Sequence, residues 1–156
     1  MYYNRKPTRL PNYDYSTENY YFITICTHNK KCLFGLTGQL SKAGMIADEH
    51  INQIATHYEQ IRVDKYVIMP NHVHMILVIE KDHCANAQQV IAQYKSGVSR
   101  EIRKINPDWN VWQRSFHDHI IRNQKSFENI WNYIEGNPQC WEKDCFYVDQ
   151  SVLLNL

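Results

Sequence analysis

The apolar residues of this chain follow two periods that alternate along it, and the alternation predicts its elements. Tyr20-Tyr21-Phe22-Ile23-Thr24-Ile25-Cys26 is a run of aromatic and β-branched residues with the composition of a strand, and the polar stretch Thr27 to Lys31 ends it. Ser41 is placed as an N-cap, and Met45, Ile46, Ile51, Ile54 and Tyr58 behind it approximate one helical face. Arg62 to Met69 and His74 to Ile79 read as strands joined at Pro70-Asn71, a connection so tight that an antiparallel pair is its natural geometry. Val90, Ile91, Tyr94, Val98, Ile102 and Ile105 return to spacings of three and four. They predict a second helix ending near Asn106-Pro107, whose other face carries Lys95, Arg100, Arg103 and Lys104. Val111 to Ile121 reads as a last strand. A third helix starts near Asn123 with Phe127, Ile130, Trp131 and Ile134 as its stripe, and Pro138 discourages its continuation.

The resulting order β, α, β, β, α, β, α is that of a ferredoxin-like, split βαβ fold of the α+β class. Two helices cover one face of an antiparallel sheet and leave the other face available. The third helix is extra to that core, placed to bring a reactive group to the open face. Residues 1–18 read as an extended arm, and at 156 residues the whole of 1–156 is expected to form a single domain.

Composition narrows the classes. With 44% hydrophobic and 21% charged residues the chain is not of the disordered kind, and no apolar run approaches the length that spans a bilayer. The basic, tyrosine-rich N-terminus lacks a signal-peptide pattern, so the expected location is cytoplasmic. Cys26, Cys32, Cys84, Cys140 and Cys145 form no CxxC pair and suit reduced thiols better than a disulfide framework or a zinc knuckle. A formal net charge of +1 announces no nucleic-acid partner, so any such case rests on local clusters: Arg5, Lys6 and Arg9, then Arg100, Arg103 and Lys104, then Arg114, Arg122 and Lys125.

The first chemical feature is Pro70-Asn71-His72-Val73-His74. Side chains alternate along a strand, so His72 and His74 project together while Val73 enters the opposite, apolar side. Two imidazoles so placed suit one divalent ion. The second is Tyr133 with Asn137, one helical turn apart on a shoulder beside the apolar stripe: a phenol as nucleophile and an amide oxygen as a hard ligand. Gly136 and Pro138 flank Asn137 and are expected to distort that last turn. A phenol of pKa near 10 is a poor nucleophile at neutral pH unless a phosphodiester is polarised and aligned with it, and Mg²⁺ or Mn²⁺ on the histidine pair does both. His117 and His119 form a competing pair, set aside because long apolar runs flank His72 and His74 and would hold them rigidly. His28, His50, His57 and His83 read as surface residues.

The strand ending Tyr66-Val67-Ile68-Met69-Pro70-Asn71, then His72-Val73-His74, Trp112-Gln113-Arg114, Asp118-His119-Ile120-Ile121-Arg122-Asn123, and finally Tyr133 with Asn137-Pro138, together resemble the single-tyrosine HUH transposases. The closest likeness is to the REP-associated tyrosine transposases, and it runs from about Tyr20 to Trp141. The resemblance implies a metal-dependent enzyme that cleaves single-stranded, hairpin-bearing DNA. Tyr133 matches the nucleophile that forms a 5′-phosphotyrosine link and frees a 3′-hydroxyl, His72 and His74 match the metal-binding pair, and Asn137 matches the residue that completes the metal site. It leaves open whether the protein works as a monomer or a homodimer, and whether Tyr133 serves its own subunit. Gln113, Arg114, His119 and Arg122 are candidate phosphate contacts, and Arg5, Lys6 and Arg9 with Tyr2, Tyr3, Tyr13 and Tyr15 are candidates to bind unpaired bases. Two other readings stand beside it: a non-catalytic nucleic-acid-binding module, and a metal-dependent phosphoesterase that uses water.

Overall fold

The computed structural model describes residues 19–80 and 85–149. In chain order it places β1 (Asn19–Cys26), a short hairpin of β2 (Gly35–Leu36) and β3 (Gln39–Leu40), α1 (Lys42–Asn52), α2 (Ile54–His57), β4 (Ile61–Met69), β5 (His72–Ile79), α3 (Ala87–Ile105), β6 (His117–Ile121) and α4 (Gln124–Gly136), followed by a 3₁₀ segment Pro138–Lys143. The main sheet has the order β4-β5-β1-β6, antiparallel throughout. This is the split βαβ arrangement that the element order predicts: α1 and α2 lead from β1 out to the edge strand β4, and α3 returns the chain from β5 to the opposite edge.

Caps explain where the helices begin. The Ser41 side chain accepts from Gly44 N, Asn123 from Ser126 N, and Asn86 with Gln89 forms a reciprocal capping box at the head of α3. The β2–β3 hairpin needs glycine at 35, where φ is +106° and an added Cβ would lie 2.5 Å from both Gln39 O and Ser41 N.

Strand alternation divides the sheet into two chemically different faces. Tyr21, Ile23 and Ile25 of β1 join Val73, Met75, Leu77 and Ile79 of β5 beneath α1 and α3, in the main core. On the other side Ile76, Val78, Ile121 and Ile134 form a small cluster, with Phe22, Val67, Phe127, Ile130 and Trp131 packed around it. Only Ile134 of α4 is buried, so the helix sits shallowly on the sheet.

Three expectations change. The first helix stops at Asn52 and resumes as the single turn Ile54–His57, and Tyr58 lies beyond it in extended conformation. Its inner face is Ala43, Gly44, Ala47 and Ile51, with Met45 exposed, because α1 lies so close to the neighbouring loop that a Cβ at Gly44 would meet Phe34 O at 2.4 Å. The last strand is shorter than 111–121: Trp112 makes an isolated bridge to Thr27, and pairing resumes only at His117. Trp112 is drawn into the core instead, its indole N–H donating to Lys95 O and its ring lying 5.3 Å from Phe34. Ile105, assigned to the buried stripe of α3, is exposed at its end.

The arm 1–18, with Arg5, Lys6 and Arg9, and the positions of His83 and Cys84 lie outside the described residues. No helix among the described residues is long and apolar enough to cross a membrane.

Candidate metal and nucleophile site

The tight connection between β4 and β5 sets the register on which the site depends. His72 opens β5 opposite Cys26 of β1, and His74 follows opposite Thr24. Both imidazoles therefore face α4, while Val73 enters the main core, as alternation requires. Their ring centroids are 4.6 Å apart.

Each ring is held by its Nδ1. His72 Nδ1 lies 2.9 Å from Asn71 Oδ1, and the orientation of that amide is determined because its nitrogen donates to Lys30 O at 3.2 Å and Phe146 O at 2.7 Å. An amide oxygen only accepts, so His72 carries its proton on Nδ1 and presents the Nε2 lone pair. His74 Nδ1 lies 2.8 Å from Thr24 Oγ1, a partner able to impose the same tautomer.

The outward nitrogens are buried without partners. His72 is 0% and His74 2% exposed, yet neither Nε2 has a hydrogen bond, and Asn137 Oδ1 and Asp144 Oδ2 are also buried without one. Four lone-pair atoms left unsatisfied in one place is a costly arrangement, of order 1–3 kcal/mol per group, unless something binds there. His72, His74 and Asp144 offer ligand atoms within 4.8 Å of one another, and Asp144 Oδ2 stands 3.6 Å from His72 Nε2. Two imidazoles with carboxylate and amide oxygens suit a borderline-hard divalent cation, so the donor set fits Mn²⁺ or Mg²⁺.

Burial drives both imidazoles toward the neutral form. His72 is pushed down to about 4 by desolvation, against the pull of Asp144 and the nearby Asn137 amide. His74 is pushed down to about 3 by desolvation and by its neighbour His72. Below the ordinary value of 6.5 the unfolded chain takes up protons that the folded imidazoles refuse, so stability is constant above that pH and falls as pH drops from 6.5 toward the folded values. The urea midpoint of the metal-free protein is expected to fall between pH 7 and pH 5, by about 2 kcal/mol of stability per imidazole at pH 5. His74→Gln should remove about half of that slope, and an unchanged slope would show that the imidazoles do not titrate this way.

Tyr133 comes from α4. Its ring lies 5.3 Å from that of His74 and 6.1 Å edge-on from Phe22, so the phenol and the imidazole pair meet within one chain. Tyr133 remains 45% exposed while Asn137, one turn on, is 3% exposed. The shared face thus runs from solvent into the site. Asn137 caps α4 with helical angles (φ −59°, ψ −41°), and the distortion expected of this last turn is a 3₁₀-type tightening, the Asn137 N–H bonding to Ile134 O as the chain enters the segment from Pro138. Tyr133 titrates above its usual value, chiefly through desolvation and the charge of Asp144, with the Asn137 amide acting in the opposite sense. The phenol is therefore neutral at pH 7.

Asp144, Thr24 and Phe146 had no place among the candidate site residues, and Asn71 entered only as part of the turn before His72. Asp144 lies just past the 3₁₀ segment, its side chain 1% exposed, and the Phe146 ring stacks 4.7 Å from that of His72. The only local signal was a carboxylate inside an aromatic-rich stretch, Trp141 to Tyr147. The remaining candidates stand apart from the pair. Gln113 and Arg114 are exposed beyond the end of β1, where Gln113 N donates to Cys26 O. His117 and His119 are exposed on β6, opposite Thr24 and Phe22, and Arg122 is exposed beyond its end. His50, assigned to the surface, is half-buried, its ring within 3 Å of where a Cβ on Gly97 would stand.

Comparison with known proteins supplies the wider context. The sequence pattern of the family described as "Transposase IS200 like" matches residues 15–137. An uncharacterised protein of Haemophilus influenzae (strain Rd) is 36% identical over 94% of this chain and 95% of its own length. A second Haemophilus influenzae protein, described as a REP-associated tyrosine transposase, is 24% identical over 58% of this chain and 60% of its own. Among solved structures, a REP-associated tyrosine transposase bound to a REP hairpin superposes with a TM-score of 0.67 at 18% identity, covering 84% of this chain and 73% of that one, a likeness of fold.

Proposed function

The chain belongs to the IS200-like transposase family, and from that premise we propose that it cuts and rejoins single-stranded DNA through a covalent bond to Tyr133. The observation that carries this reading is the convergence, within one chain, of a half-exposed phenol and four buried lone-pair atoms without a hydrogen bond. The related structure is bound to a REP hairpin, which supports a hairpin-bearing strand as the substrate.

His72, His74, Asn137 and Asp144 are the residues that would hold the cation. When bound there, Mg²⁺ or Mn²⁺ supplies Lewis-acid polarisation of a phosphodiester and charge stabilisation for the departing oxygen. Asn71 and Thr24 orient the imidazoles. Tyr133 attacks phosphorus through its phenolic oxygen, the P–O3′ bond breaks, and the phenolic proton leaves as the 3′-oxygen gains one. The product is a 5′-phosphotyrosine and a free 3′-hydroxyl. Rejoining is the reverse attack by a 3′-hydroxyl on that phosphotyrosine. Phe22 and Phe146 shield the rings of the pair from water.

Asp144→Asn separates the roles of this carboxylate. In the metal-free protein the variant loses a buried charge whose Oδ2 has no hydrogen bond, so its thermal midpoint should rise. Its Mn²⁺ affinity, read by calorimetry, should fall by roughly tenfold or more. Unchanged affinity would remove Asp144 from the ligand set. The test of the whole reading is a protein–DNA adduct, resistant to denaturation, formed from hairpin oligonucleotides with single-stranded arms in Mn²⁺ or Mg²⁺ and absent in EDTA. Cleavage without any adduct would favour hydrolysis by water, and no cleavage with either metal would favour a binding module.

A further inference from the structure

The sheet face that bears the imidazole pair continues away from it along β1. α4 packs on β4 and β5, and the residues of β1 on the same face follow in order: Thr24 beside His74, then Phe22, then Tyr20. Phe22 meets the ring of Tyr133, and Tyr20 meets Phe127 of α4 edge-on at 5.7 Å. At Tyr20 this row reaches an open cleft of about 270 Å³, lined also by Asp64, Arg122, Asn123, Gln124 and Phe127. That is just below the range of drug-sized pockets and suits one planar heterocycle.

The lining has the chemistry for a base and its phosphate. Tyr20 and Phe127 provide aromatic surface. Asp64 sits where the β4–β5 register jumps between Val63 and Lys65, a β-bulge of the kind that re-aims a side chain, and Arg62 Nε holds its Oδ1 at 2.7 Å. Asn123 spends its oxygen on the cap of α4 and keeps its NH₂ to donate, while Gln124 donates its NH₂ to Glu128 and keeps its oxygen to accept. Arg122 is exposed at the rim and forms no ion pair among the described residues. Spacing ties the cleft to the site. From Thr24 to Tyr20 the strand advances about 13 Å, a distance that an extended DNA strand covers in about two nucleotides.

We infer that this cleft is a nucleobase subsite, holding one unpaired base of the DNA strand about two nucleotides from the phosphodiester at the His72–His74 pair. The base stacks on Tyr20 and Phe127 and the adjoining phosphate meets Arg122. Asp64 accepts from an exocyclic amine, which selects adenine, cytosine or guanine over thymine, whose carbonyls flank its single N–H and repel the carboxylate. The inference rests on the proposed single-strand activity but is tested apart from it.

Short single-stranded oligodeoxynucleotides containing 6-thioguanine, irradiated with the metal-free protein, are expected to cross-link to peptides containing Tyr20 or Phe127. In fluorescence anisotropy with oligo-dA, oligo-dC and oligo-dT, Phe127→Ala should weaken binding between about fivefold and 100-fold. Arg122→Ala, an exposed change that leaves the core intact, should weaken all three alike, and Asp64→Asn should abolish the preference over dT. Cross-links confined to other peptides, together with parental binding by Arg122→Ala and Asp64→Asn, would overturn the subsite. Cross-links in the cleft without any Tyr133 adduct would leave the subsite standing and sink the strand-transfer reading. Adducts with cross-links elsewhere would do the reverse.

Discussion

Tyr133→Phe is expected to yield a folded protein that binds metal and hairpin DNA as the parent does but forms no covalent adduct. The ring is half exposed, and its contacts with His74 and Phe22 are made by carbon atoms that phenylalanine retains, so the change removes one oxygen and almost no packing. Loss of a nucleophile that no neighbour replaces should lower adduct formation and strand cleavage by at least ~10³-fold. The measurement is the yield of denaturation-resistant adduct with a labelled hairpin oligonucleotide, alongside anisotropy for binding. An adduct persisting in the variant would place the nucleophile elsewhere among the tyrosines, and cleavage persisting without one would mean that water attacks.

The second large effect is on the metal. Replacing His74 by Ala should lower Mn²⁺ affinity by more than roughly 100-fold, because loss of an outer partner of a ligand already costs 10- to 100-fold and in the proposed site His74 is itself a ligand. His72→Ala should do the same. Both substitutions also open a cavity in a site covered by Phe146 and Trp141, so His74→Gln serves as the better-packed comparison. Thr24→Val, which keeps the volume and loses only the hydroxyl bound to His74 Nδ1, should give an intermediate loss. Calorimetric titration with Mn²⁺ reads all of them. If His72→Ala and His74→Ala bind the ion as tightly as the parent, the pair is a structural feature and the metal-dependent reading fails.

Local chemistry explains which parts of this architecture were legible along the chain. The strand β1, the β4–β5 hairpin and the stripes of α3 and α4 are continuous apolar patterns of sufficient length, and their periods fix which face each residue takes. His72 and His74 were paired on one side because alternation requires it whatever surrounds the strand. Tyr133 and Asn137 were paired because helical turns require it. The failures have a common origin in close packing between elements. Gly44 and Ala47 let α1 approach Phe34, which turned Met45 outward, and Trp112 left the path of the last strand because the core between α3 and Phe34 had room for its ring.

What the sequence determined by itself, then, was the chain order of the four main strands and the long helices, and the pairing of His72 with His74 and of Tyr133 with Asn137, since each depends on periodicities acting over a few residues, whereas the β2–β3 hairpin, the break before Ile54 and the shortened last strand came only with the fold. The distance between the pairs was decided only by the folded chain. So were the tautomer that Asn71 imposes on His72, the burial that keeps both imidazoles neutral, and the arrival of Asp144 at the same point. These depend on register across strands and on how shallowly α4 lies on the sheet, which is set by a few apolar side chains far apart in the chain. Periodicity tells a residue which way to face, but only packing tells it what it will meet there.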